Sequence, residues 1–176
     1  RAIQAGVKSI EHGHLIDEPT MKLIAEKEVW LSMQPFTLED NKFPTKEQQE
    51  KHELVVNGTD KTYQLAKKYK VKLAWGTDLL FNPTNTKNQN QGIIKLQKWF
   101  TNFEILKMVT HDNAQLLSLS GMRNPYPGKL GVIEENALAD IILVDGNPLE
   151  DITLLGNPEK YFVMIMKDGK IYRNIL

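Results

Sequence analysis

Val71-Lys72-Leu73-Ala74-Trp75-Gly76-Thr77-Asp78 is the stretch on which the reading of this chain turns. Val71 to Trp75 is a short apolar run that ends at a glycine, which reads as a strand. Immediately upstream, Thr45-Lys46-Glu47-Gln48 matches a capping box and opens a long helix to about Tyr69. Its apolar positions Val55, Val56, Tyr63 and Ala66 make only a loose stripe. Further upstream, Val29 to Met33 reads as a second strand stopped near Pro35. A helix over 18–28 precedes it, with Asp17 as N-cap, Pro19 in the first turn, and Met21, Ile24 and Ala25 on one face. Val7 to His12, between Gly6 and Gly13, reads as a first strand. Downstream of Asp78, Thr101-Asn102-Phe103-Glu104 is another capping box, and a further helix is expected at about 112–119. Strands alternating with helices over residues 1–120 predict parallel βα units. Three units cannot close a (β/α)8 barrel, which takes about 250 residues. The fold class expected is therefore α/β, as a partial TIM barrel or a small open sheet.

The pattern changes after Gly121. Arg123 to Gly128 is a turn-rich linker, and Ala139 to Val144 is a compact strand closed by Asp145-Gly146-Asn147-Pro148. Phe162–Met166 and Lys170–Arg173 flank Lys167-Asp168-Gly169, an Asp-Gly hairpin signal. Residues 1–120 are thus expected to be barrel-like and 121–176 a small β-rich unit. The polar run Asn82 to Gly92 reads as a mobile loop.

The 176 residues are 41% hydrophobic and 25% charged, with 22 basic and 22 acidic side chains. This is globular composition without the basic excess that nucleic acid or an anionic membrane selects, so neither is an expected partner. No apolar run reaches the roughly 18–20 residues of a membrane helix. The absence of cysteine excludes disulfides and thiolate metal sites. Arg1-Ala2-Ile3-Gln4-Ala5-Gly6 reads as a last helical turn with a glycine stop, from which the chain is expected to be the C-terminal part of something longer. The compartment is left open.

Two residues with chemistry to offer lie at strand ends. His12 closes the first strand and Asp78 follows the third, and active sites of parallel α/β folds assemble at C-terminal strand ends. By strand alternation Ile10 shares a face with His12, and Ala74 and Gly76 with Asp78. If those faces are a barrel interior, the two project into one pocket. Imidazole and carboxylate are good ligands for zinc and similar ions, and a carboxylate can take a proton from water. The plainer alternatives are a hydrogen-bonded structural histidine and a turn-capping aspartate. Of the other histidines, His14 is expected in a loop near the pocket mouth, His52 solvated on the long helix, and His111 in local hydrogen bonds.

Ala5-Gly6-Val7-Lys8-Ser9-Ile10-Glu11-His12-Gly13 with Leu15-Ile16-Asp17 resembles the sixth-strand segment of the metal-dependent amidohydrolase superfamily, and Ala74–Asp78 resembles its eighth strand. Asn113-Ala114 with Leu116-Leu117 is similar to the helix that follows. Gly128–Glu134, Ala137–Asp145 and Val163–Asn174 resemble its returning β-sandwich strands and final hairpin. The likeness is nearest to the imidazolonepropionase-like and prolidase-like branch. It implies the last three βα units of a TIM (β/α)8 barrel followed by a small β-sandwich segment. It also implies one or two zinc or other divalent metal ions per complete site. By this resemblance His12 is the histidine that holds the second metal or contacts water or substrate. Asp78 is the aspartate that holds the first metal and acts as general base. The family's first-strand His-x-His pair, bridging lysine and fifth-strand histidine are absent from the chain.

The function expected is that of a metal-dependent hydrolase cleaving amide or C–N bonds of small peptides or related amides. The chain would be a portion lacking the upstream ligands, inactive alone and open to homo-oligomer formation through uncovered sheet edges. The alternatives are a cyclic-amide or deaminase-type amidohydrolase, and a non-catalytic barrel fragment acting in assembly.

Overall fold

The computed structural model describes residues 1–40, 43–79 and 83–176. The chain divides into two compact units, Arg1–Gly76 and Thr77–Leu176.

The first unit is a three-stranded parallel sheet with two helices. Strands β1 (Ser9–Glu11), β2 (Trp30–Met33) and β3 (Leu73–Trp75) lie in the order β1-β2-β3. Ile10 is paired with Leu31, and Ser32 with both Glu11 and Ala74. The ladder runs one residue beyond each outer strand, with His12 N donating to Ser32 O at 2.8 Å and Gly76 N to Met33 O at 3.3 Å. Central β2 is buried on both faces: Leu31, Ser32 and Met33 are all buried, as is Gln34 just after it. That is the burial expected of a strand flanked by parallel neighbours and covering helices.

Helix α1 (Glu18–Glu26) links β1 to β2. Asp17 is its N-cap: Thr20 N donates to Asp17 Oδ1 at 2.9 Å, and Thr20 holds the Asp17 carboxyl below the usual carboxylate range. Met21 and Ile24 are completely buried, each stabilising the unit by roughly 1.5–3 kcal/mol relative to exposure. Helix α2 (Lys46–Lys68) links β2 to β3, with Thr45 as N-cap accepting from Gln48 N. Both helices end the same way. Glu28 (φ +51) and Lys70 (φ +52) take the left-handed conformation just past the helix. Val29 N then bonds back to Ile24 O, and Val71 N to Ala66 O, at 3.0 and 2.9 Å. These six-residue closures are Schellman motifs, and the apolar residues at both ends of each (Val29 and Ile24, Val71 and Ala66) are buried.

α2 carries the main surprise of this unit. His52, Val56, Thr59, Thr62, Tyr63 and Ala66 are its buried residues, so half of its inward face is polar. Thr62 Oγ1 reaches the carbonyls of Gly13 (3.3 Å) and His14 (3.1 Å). Gly58 lets the helix approach that loop: a methyl group there would sit 2.2 Å from His14 O. The stripe is loose in sequence because half of what it buries is polar: Thr62 bonds loop carbonyls, Thr59 lies against the His14 ring, and His52 packs on Phe43.

The second unit begins with short helices: a 3₁₀ turn Pro83–Asn88, α3 (Gln91–Lys95), another 3₁₀ turn Leu96–Lys98, and α4 (Asn102–Lys107). The polar run expected to be a mobile loop is therefore largely helical, and Asn82 lies outside the described residues. Asn90 Nδ2 and Gln91 Nε2 donate to Leu155 O and Gly156 O, both at 2.9 Å, which ties that run to the segment before α6. α4 has the full capping box expected at Thr101 and Glu104. It continues through a π-helical turn, Met108–Asp112, into α5 (Asn113–Ser118). Strands β4 (Ile141–Val144), β5 (Phe162–Lys167) and β6 (Lys170–Asn174) form an antiparallel sheet in that order, with α6 (Pro158–Tyr161) before β5. The β5–β6 turn uses Asp168 (φ +50) and Gly169 (φ +74), the two left-handed residues of a type I′ hairpin.

Candidate functional site

His12 stands one residue past the end of β1, and its backbone has turned left-handed (φ +68), as has Gly13 (φ +70). The chain leaves the sheet there and passes over α2. The alternation that placed His12 beside Ile10 therefore does not extend to it. The same holds for Asp78: β3 ends at Trp75 and Asp78 has φ +50. Non-glycine residues in this region are uncommon, though His and Asp are among those enriched there, and they gather at functional sites. His12 belongs to the first unit and Asp78 to the second; both side chains are exposed.

Around His12 the first unit builds a polar cluster. His12 Nδ1 lies 2.9 Å from Gln34 Oε1. His14 Nε2 lies 3.3 Å from the same oxygen, and His14 Nδ1 lies 2.9 Å from Thr59 Oγ1. Thr59 Oγ1 in turn lies 2.9 Å from Val55 O, one turn back on α2. The His14 ring packs on Phe36, with centroids 4.8 Å apart. His14, Gln34 and Thr59 are 7%, 5% and 0% exposed. This is a largely buried group of side-chain hydrogen bonds that includes the exposed imidazole of His12.

His14 lies in the loop between β1 and α1, as expected, but it is buried there. Thr62 and Gly58 draw its backbone onto α2, and its ring turns inward. His52 is not solvated either: it is 8% exposed, its ring lies 5.2 Å from that of Phe43, and its Nε2 has no hydrogen-bond partner among the described residues. His111 does make the local bond expected, with Nδ1 2.8 Å from Asp112 Oδ1. A cleft of about 510 Å³ in the second unit is lined by His111, Gln115, Asn124, Lys129 and Glu134 among others, and neither His12 nor Asp78 lines it. Sequence reasoning does not single out Gln34 or Thr59. The only signal that could have found Gln34 is a polar residue right after an apolar strand, in the same position relative to β2 that His12 holds to β1.

The donor chemistry can be set against a divalent metal. An imidazole whose Nδ1 hydrogen-bonds an amide oxygen has Nε2 as its acceptor nitrogen, the arrangement typical of metal-bound histidine. A carboxylate at Asp78 is the complementary ligand type. Among the described residues, however, no three His, Asp or Glu side chains come together in a way that could hold a metal ion. The chain's donors fit part of a metal site, not a whole one.

Comparison with known proteins gives these features a family. The model of the Amidohydrolase family matches residues 1–172. Ochratoxinase of Aspergillus niger is 32% identical over 178 aligned positions that cover 98% of this chain and 35% of ochratoxinase. The chain thus spans about a third of the length of the curated relatives it matches. Among solved structures, a prolidase complexed with N-methylphosphonate-L-proline superposes with a TM-score of 0.81 at 26% identity, covering 98% of this chain and 42% of that one. A Xaa-Pro dipeptidase with methionine bound in its active site gives 0.78 at 30% identity, covering 98% and 41%. With the family model spanning the parallel βα units and the antiparallel sheet alike, this α/β chain belongs to the amidohydrolase family.

Proposed function

We propose that the chain supplies the last three βα units and the C-terminal β-sandwich segment of a metal-dependent hydrolase that cleaves the amide bond of small peptides or related amides. Residues 1–120 are read as the closing part of a (β/α)8 barrel and 121–176 as the sandwich segment. The observation that carries this reading is His12, left-handed at a parallel strand end with its ring held by Gln34, in a chain matched by the family model over residues 1–172. The ligands of the related structures, a proline phosphonate and methionine, support a small peptide as substrate. The coverage of about a third of ochratoxinase supports placing the remaining metal ligands outside these 176 residues.

In this reading Asp78 and His12 are two of the groups that hold zinc or another divalent ion. When bound, such an ion supplies a lowered water pKa and polarisation of the scissile carbonyl. Asp78 is the general base. Its carboxylate takes a proton from the attacking water as the new C–O bond forms, and hands it to the nitrogen as the C–N bond breaks. The products are a carboxylic acid and an amine. His12 orients water or the substrate carbonyl from the end of β1.

The test is the full-length protein assayed on Xaa-Pro dipeptides and N-acyl amino acids, after chelation and after zinc is restored. Hydrolysis should depend on the ion, and Asp78→Asn should lower kcat by about 10²–10⁴-fold, the range for loss of a general base. An Asp78→Asn enzyme with an undiminished rate removes Asp78 from the mechanism. Ion-independent hydrolysis removes the metal.

A further inference from the structure

The cleft of about 510 Å³ in the second unit has the size of a small-molecule site. One wall is helical. His111 sits in the π-helical turn Met108–Asp112, a distortion that recurs at functional sites. Gln115 and Ser118 follow it four and seven residues on, along α5, and all three line the cleft. The other wall is the segment 124–134. Gly131 seats this segment on the helix. Its backbone is left-handed (φ +71), and a methyl group there would lie 2.6 Å from Thr110 O and 2.8 Å from His111 Cα. Leu138 N donates to Lys129 O at 2.9 Å and Ala137 N to Glu134 O at 3.2 Å, which fixes the backbone that carries Lys129 and Glu134. Both walls are thus set by backbone contacts.

The lining carries one acid and one base. Lys129 Nζ and Glu134 Oε1 pair with each other, their side chains 69% and 45% exposed. So exposed a pair contributes little to stability and opens at little cost. Lys129 disfavours a ligand with positive charge alone, and Glu134 one with negative charge alone. A molecule with both charges on neighbouring groups satisfies each, replacing one ion pair by two charge-assisted bonds. Asn124 Oδ1 accepts from Tyr126 N at 3.1 Å, which orients the amide and gives Nδ2 as a donor. His111 Nδ1 lies 2.8 Å from Asp112 Oδ1, and a carboxylate only accepts, so the proton is on Nδ1 and Nε2 of the neutral ring is an acceptor. Lys107 Nζ pairs with the same Asp112 oxygen and offsets its charge. Ala114, Pro127, Leu130 and Val132 add apolar lining. We propose that this cleft binds a free α-amino acid with an apolar side chain. Lys129 and Asn124 take its carboxylate, Glu134 and His111 its ammonium, and Pro127, Leu130 and Val132 its side chain. Neither His12 nor Asp78 takes part.

The experiment is isothermal titration calorimetry of the full-length protein with L-leucine. N-acetyl-L-leucine, which lacks the ammonium, and L-leucinamide, which lacks the carboxylate, are titrated beside it. Leucine should bind at least about 10-fold more tightly than either. Glu134→Gln and Lys129→Met should each weaken leucine binding about 10–100-fold, the range for loss of a hydrogen bond between charged groups. Both side chains are exposed, so both variants should keep the thermal melt of the unsubstituted protein. Asp78→Asn should bind leucine as before. Bound leucine should also slow deuterium uptake by the amides of 108–118 and 129–134. Absence of leucine binding to the unsubstituted protein overturns the proposal, and that measurement needs no variant to fold. Equal binding of either analogue overturns it too, because only one charge is then read. Leucine binding that survives both Glu134→Gln and Lys129→Met, or that is lost in Asp78→Asn, places the ligand elsewhere and overturns it as well.

Discussion

Gly58 reverses a general rule of helices. An interior glycine usually costs a helix about 1 kcal/mol relative to alanine, so Gly→Ala on a helix is a routine stabilising change. Here the added methyl would meet His14 O at 2.2 Å, and that carbonyl also accepts from Thr62 Oγ1. Backbone so tied cannot retreat cheaply. Gly58→Ala is expected to lower unfolding stability by about 2 kcal/mol or more in chemical denaturation, and to shift the His14 ring resonances, since the loop must lift off α2. A stabilised Gly58→Ala protein would show that the loop is free to move. At this scale the sequence is only partly legible. His12 and Asp78 stand out by residue type and position at strand ends. Their direction does not, because alternation fails once φ turns positive at both. Hydropathy reads His14 and His52 as exposed because it counts a histidine or threonine as solvent-facing, whereas α2 buries Thr59 and Thr62 against loop carbonyls and side chains.

The elements are more readable, since their ends are written in local chemistry. Asp17, Thr45 and Thr101 cap the helices they are expected to cap, and Asp168-Gly169 makes the hairpin turn. The helix ends at Glu28 and Lys70 cannot be foreseen in this way, because neither is the glycine that usually fills a left-handed closing position. That offers a test. Lys70→Gly relieves roughly 1–2 kcal/mol of left-handed strain against about 0.5–1 kcal/mol of extra chain entropy, so a gain of about 0.5–1 kcal/mol is expected from denaturant midpoints. The junction of α1 with α2 offers another. Lys68 Nζ lies 2.7 Å from Glu18 Oε1, and Tyr69 OH also donates to it. Together they hold Glu18 well below its ordinary value of 4.5, at about 2, and raise Lys68. A carboxyl depressed on folding adds stability above its unfolded pKa and loses it as the pH drops through the folded one. Glu18→Gln should thus melt slightly below the unsubstituted protein at neutral pH, the pair being exposed and weak. The gap should close as pH falls from about 4.5 to about 2 in thermal melts.

Over the whole chain, the edges of both sheets govern behaviour in isolation. Among the described residues, β1 and β3 are the outer strands of the first sheet and β4 and β6 those of the second. On β4 the residues Ile141, Ile142 and Leu143 are 37%, 53% and 41% exposed, an apolar edge of the kind that recruits another strand. Expressed alone, the 176-residue chain should self-associate as concentration rises in light scattering, and Ile142→Lys should reduce that association. A chain that stays monomeric at all concentrations would show that these edges are protected.

The bond from His12 N to Ser32 O and the contact of the His12 ring with Gln34 are made to one short stretch, β2 and the residue just after it. Any fluctuation that parts β1 from β2 breaks both at once. The deuterium uptake of the His12 amide therefore serves as a clock for the imidazole: its protection measures how long the ring stays in place. A substrate or ion that fixes the ring should slow that uptake together with the amides of β1, while the hairpin amides of β5 and β6 keep their own pace.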